Sequence, residues 1–173
     1  MAKLTVLLCL IGILAPTSQC RADDLVTLER TTKQFRLTLQ IGSTEEMYSE
    51  AEAKAKHPTS GEIMLSGKVA GSMASMDHAM PAMMPVTGVR HVELHVYSLD
   101  TGKAVTDARV TITLTGADKK RRTVPIMRMY GVTEGLGDLH YGNNVMLSPG
   151  DYAVDATING EAARFTVAVP PES

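Results

Sequence analysis

From Arg90 to Tyr97 the side chains alternate, with His91, Glu93, His95 and Tyr97 on one side of an extended chain and Val92, Leu94 and Val96 on the other. Two-residue steps along a strand are roughly 6.6 Å at Cα, so imidazole and carboxylate groups on one side can converge on a single cation. The same alternation also describes the solvated face of an ordinary antiparallel sheet. Two later segments add donors. Val124-Pro125-Ile126-Met127-Arg128-Met129-Tyr130 carries two thioethers, and Asp138-Leu139-His140-Tyr141-Gly142-Asn143-Asn144-Val145 places His140 at the end of a Gly-rich loop, away from the core. A lone loop histidine acquires a role only where partners converge on it.

A third cluster is denser. Met73, Met76, His78, Met80, Met83 and Met84 put five methionines and a histidine into twelve residues. Thioether sulfur is a soft, uncharged donor that suits Cu(I) and tolerates an oxidising compartment better than thiolate. Their spacing also fits the apolar stripe of an amphipathic helix, but Pro81 interrupts it and Pro85 follows. A proline inside a helix costs about 3 kcal/mol. Residues 71–88 therefore read as a Met-rich loop that either contacts a metal or faces a partner.

The elements that must position these groups are strands. Alternation recurs at Phe35, Leu37 and Leu39; at Val110, Ile112 and Leu114; at Tyr152, Val154, Ala156 and Ile158; and at Phe165, Val167 and Val169. Turn signals separate them at Asp100-Thr101-Gly102, Gly116-Ala117-Asp118, Ser148-Pro149-Gly150 and Asn159-Gly160. This pattern predicts an all-β, immunoglobulin-like antiparallel sandwich with Val92, Leu94, Val96, Val110, Ile112, Leu114, Val154, Phe165 and Val167 in its core. One helical insertion interrupts it, from Ser43 to His57, with Ser43-Thr44-Glu45-Glu46 as its capping box.

Lys3, the 11-residue apolar run from Leu4 to Leu14 and the stretch Pro16-Thr17-Ser18-Gln19 predict a secretory signal over residues 1–22. The run is well short of the roughly 20 residues a spanning helix needs, so no membrane span is expected in the mature chain. A rival reading of the same segment is lipid modification at Cys20. Residues 23–173 then form a single domain, and both cysteines, Cys9 and Cys20, leave with the signal. A metal site would have to be built without thiolate, and the fold without a disulfide. The remaining 15 basic and 19 acidic side chains give a net charge of −4, which excludes nucleic acid as a partner. Hydrolase chemistry is excluded as well, because no Ser/His/Asp arrangement has a recognisable motif context.

The order His91-x-Glu93 on a strand, a Met-Pro-Met-like strand at Pro125 to Met129, His140-Tyr141-Gly142-Asn143-Asn144-Val145 and the strand entry Pro149-Gly150-Asp151-Tyr152 resembles the periplasmic copper-binding proteins associated with bacterial ferrous-iron permeases. The resemblance spans about Arg90 to Val169. It implies an immunoglobulin-like sandwich, pairing as a homodimer, a membrane permease as partner, and copper or iron bound by His91, Glu93 and His140 with Met127 or Met129. Two departures stand out. Ile126 follows Pro125 where the family has methionine, and no histidine follows His140 where the family has a further ligand. His95, or His78 with the loop sulfurs, are the available substitutes. The resulting expectation is an exported, non-catalytic protein of metal uptake or handling that binds copper first and iron second. The alternatives are a secreted copper-dependent oxidoreductase and a metal-free interaction module.

Overall fold

The computed structural model describes residues 25–66 and 88–171. The expected signal segment and the Met-rich loop as far as residue 87, with Met73, Met76, His78, Met80, Met83 and Met84, lie outside the described residues. Strands follow at Val26–Thr31 (β1), Phe35–Ser43 (β2) and Met47–Ser49 (β3), then a helix at Glu50–Lys56 (α1) and a short strand at Glu62–Met64 (β4). Val89–Ser98 (β5), Val110–Thr115 (β6), Arg121–Thr123 (β7) and Met127–Gly131 (β8) come next. A 3-10 turn at Gly135–Asp138 precedes His140–Met146 (β9), Gly150–Ile158 (β10) and Glu161–Val169 (β11).

These strands form two sheets, ordered β1-β2-β5-β9-β8-β4-β3 and β11-β10-β6-β7. The all-β sandwich expected from the alternation is therefore the fold the chain adopts. Asn159 and Gly160 both take positive φ, of 50° and 93°, and turn β10 directly into β11. That two-residue reversal has the twist of a primed hairpin turn, which is why Asn-Gly marks it.

The apolar sides of the strands meet between the sheets. Leu37, Leu39, Val92, Leu94 and Tyr141 from one sheet are buried together with Ile112, Leu114, Val154, Ile158 and Phe165 from the other. All nine residues expected in the core are buried. Tyr141 satisfies its hydroxyl there by donating to the Val105 carbonyl at 2.7 Å and accepting from the Ala108 amide at 2.8 Å, so a phenol can be buried at little cost.

Two expectations are corrected. The helix is shorter than Ser43 to His57: Ser43 ends β2, residues 47–49 form β3, and only Glu50–Lys56 is helical. Its capping box is Ser49 with Glu52, not Ser43 with Glu46. Both stretches have the Ser-x-x-Glu pattern, and pairing of Met47–Ser49 with β4 commits the first one to extended chain. Second, that β3–β4 pair is parallel, in an otherwise antiparallel sandwich. Of the two readings of the outer side of β5, the solvated one is not what the chain adopts, because His91 and His95 are each only 3% exposed. The chain around Thr44 and Glu45 bonds to Val89 and Asn144, and Asp138 lies against His95 and His140, so two connecting segments close over that face.

Candidate metal centre

Strand register sets the site. On β5, His91, Glu93 and His95 all face away from the core, and across the β5–β9 ladder they stand opposite Asn144, Gly142 and His140. Directly opposed residues share a face, so His140 joins the β5 group although it lies 47 positions beyond Glu93. His140 follows the Gly-rich loop as the first residue of β9 and stays off the apolar core, as expected, yet it is fully buried. Gly142 has a structural cause: a Cβ there would run into the Val92 carbonyl of β5.

The ladder extends the same face to β8 and β4. Met129 pairs with His140 and Met127 with Gly142, so both methionines share the histidine's face; Met129 is fully buried and Met127 half-buried. Glu62 pairs with Gly131 at the start of β4 and is buried. Its approach depends on Gly61, whose φ of 93° excludes most side chains and whose Cβ would meet the Glu46 carbonyl at 2.6 Å.

One donor atom each from Glu62, His91, Glu93 and His140 lie within 4.8 Å of one another. Glu93 Oε2 is 3.4 Å from His140 Nε2 and 3.8 Å from His91 Nε2, and Glu62 Oε2 is 3.5 Å from His140 Nε2. His95 flanks this group, with Nε2 3.6 Å from Glu93 Oε1 and Nδ1 3.7 Å from Asp138 Oδ1. His95, Asp138 and His140 make a second, overlapping constellation of the same kind.

The outer partners of the two histidines decide which nitrogen is free. His91 Nδ1 lies 3.0 Å from Asn144 Oδ1. Asn144 cannot present its amide nitrogen there, because Nδ2 donates to the Glu45 carbonyl at 2.7 Å while Oδ1 accepts from the Glu45 amide. His91 must therefore donate from Nδ1. His140 Nδ1 likewise donates to the Asp138 carbonyl at 2.9 Å. Both rings are thus held with lone pairs on Nε2, aimed at the two carboxylates, as metal-ligating histidines are oriented by their outer partners.

Charge and burial work against this arrangement in the protein alone. Glu62 Oε2, His91 Nε2 and His140 Nε2 are buried and have no hydrogen-bond partner among the described residues. Each such atom costs about 1–3 kcal/mol. Burial pushes the Glu62 carboxyl up to about 8, and the neighbouring Glu93, Asp138, Glu45 and Glu134 add to that rise. Burial also raises Glu45, with Glu93, Glu134 and Glu46 reinforcing it. His91 and His140 are pushed down by burial, which keeps them neutral and able to ligate. Burial acts to raise Glu93 too, but the opposing contacts, led by the hydrogen bond from His95, outweigh it and hold the carboxyl below its ordinary value.

A cation relieves every one of these costs at once. An ion held by Glu62, His91, Glu93 and His140 would take up the two Nε2 lone pairs and offset the crowded carboxylates. The buried His/Glu group can hold a metal ion; Asp138 stands beside it. A groove of about 380 Å³ reaches His91, Glu93 and Glu62 from solvent.

Glu62 and Asp138 were not among the ligands expected from the sequence, and Asn144 was not expected as an orienting group. Asn144 had a signal, since His140, Gly142 and Asn144 alternate onto one side. Glu62 had none, because β4 is three residues long and reaches the site only through its pairing with β8. No family model, curated protein or solved structure matches this chain. The likeness to the periplasmic copper-binding proteins therefore rests on the sequence motifs.

Proposed function

We propose that this chain is an exported metal-binding protein that holds copper, or failing that iron, in periplasmic metal uptake or handling, without covalent chemistry of its own. One observation carries the reading: three buried, unpartnered donor atoms of Glu62, His91 and His140 converge beside the ionised Glu93. Two imidazoles and two carboxylates suit Cu(II) and Fe(II), and Met129 or Met127 on the same face adds a thioether that favours copper over iron. No described helix is long and apolar enough to cross a membrane. In this role the ion passes to or from a membrane permease and the protein acts as a homodimer, as the motif resemblance implies.

The test is metal content of the processed protein, followed by titration with Cu(II), Cu(I) and Fe(II) in the wild type and in His140→Ala. One tightly held ion per chain is expected, with copper weakened at least 100-fold in the variant, about 2.7 kcal/mol. A protein that takes up no ion stoichiometrically sinks the reading. The groove that reaches Glu93 from solvent favours one further reading, a copper-dependent oxidoreductase with an open coordination position. Turnover of a reduced organic substrate by the copper-loaded protein under oxygen would establish it.

A further inference from the structure

Resting on the metal-binding reading above, we infer that Glu62 sets the charge of the ion this site accepts, making it a site for divalent cations and disfavouring Cu(I). The inner donors are two neutral imidazoles and two carboxylates, and their formal charge of −2 is cancelled by a dication. A monovalent ion would leave a net negative charge among side chains that are almost wholly removed from water: His91 is 3%, His140 0% and Glu62 7% exposed. An uncompensated buried charge is costly.

Among the described residues lining the groove, none supplies the missing positive charge. The groove lining includes five carboxylates, those of Glu45, Glu62, Glu93, Glu134 and Asp138, and no lysine or arginine. Among the described residues the ion-pair partners of Glu62 and Glu93 are histidines alone. Carboxylate oxygen is also a hard donor that gains little from Cu(I), which prefers sulfur and imidazole. Glu93 is placed by the strand that carries both flanking histidines. Glu62 arrives from a separate strand, so it is the residue that turns a −1 set into a −2 set. The built approach through Gly61, and the backbone bond from the Glu62 amide to the Glu46 carbonyl at 2.7 Å, hold it there.

The experiment compares Cu(II), Zn(II) and Cu(I) affinities, by competition against chelators and anaerobically for Cu(I), in the wild type, Glu62→Gln and Glu62→Asp. Glu62→Gln keeps the shape and removes the charge; it should weaken Cu(II) and Zn(II) at least tenfold while changing Cu(I) less than threefold. The Cu(II)/Cu(I) potential then rises by about 59 mV for each tenfold of selective loss. Glu62→Asp, which keeps the charge, should retain most of the preference for the divalent ions. Thermal unfolding of each metal-free variant checks that it is folded. Equal losses for Cu(I) and Cu(II) in Glu62→Gln, or no loss for either, overturn the role of Glu62 and leave the metal site standing. A wild type that binds none of the three ions overturns both.

Discussion

The two sides of strand β5 are buried to nearly the same extent and built on opposite rules. Val92, Leu94 and Val96 are at most 1% exposed and His91 and His95 are 3% exposed. Inward, the apolar side chains close-pack against the second sheet, and burial itself is the stabilising term. Outward, burial strips water from imidazoles and a carboxylate, and His91 Nε2 and His95 Nδ1 are left without a hydrogen-bond partner among the described residues. Equal burial thus has opposite sign on the two faces. The contrast within one strand separates residues that hold the protein together from residues that could hold an ion.

The largest expected effect tests that separation from the inward side. Leu94→Ala removes a fully buried side chain and should cost about 2–5 kcal/mol of stability, read by chemical denaturation, while the folded fraction binds metal as before. On the outward side, His140→Ala reverses the pattern, with metal affinity lost and the metal-free protein destabilised far less. Similar stability losses in both variants would break the comparison.

A smaller effect falls on the orienting shell. Asn144→Ala removes the acceptor that holds His91 with its proton on Nδ1, and should weaken metal binding by about 10- to 100-fold. The ring remains present but its nitrogens become interchangeable. A His91→Ala variant no weaker than Asn144→Ala would show that His91 does not ligate.

The smallest effect sharpens the comparison most, because it is a gain. Glu62, raised to about 8 from an ordinary value of 4.5, favours the protonated form in the folded chain. The stability this represents is present below pH 4.5 and lost as pH rises through 8. His91 and His140 are shifted downward, so they act the other way, destabilising the fold as pH falls below about 6.5. The window between about pH 6.5 and 8 therefore lies above the histidine contributions, and comparison with Glu62→Gln singles out Glu62. Metal-free Glu62→Gln should be more stable than the wild type there by about 1 kcal/mol, with a difference that grows with pH and levels off above 8. A metal-free wild type that keeps its full stability through this window would show that the outward face carries no such cost.

Much of the scaffold was legible in the chain. Period-two alternation placed β2, β5, β6, β10 and β11 and their core residues, because a pleated strand forces successive side chains to opposite faces and leaves the apolar set only one place to go. Asn159-Gly160 marked its hairpin, since few other pairs accept positive φ at both positions. The helix start was misplaced because two Ser-x-x-Glu patterns lie six residues apart and only the pairing of β3 with β4, a strand further along the chain, selects between them.

The candidate site divides along the same line. That His91, Glu93 and His95 share a face is a local consequence of strand geometry, and the sequence alone determined it. Everything else required the sheet to assemble. The β5–β9 register delivered His140, and the β8–β4 ladder delivered Glu62, which has no local pattern at all. Asn144 and the Asp138 carbonyl selected the imidazole nitrogens, and closure of two connecting segments turned a face that reads as solvated into a buried one. Alternation records which way a side chain points; only tertiary structure decides what it points at, because donor convergence and loss of water are properties of strands far apart in the chain.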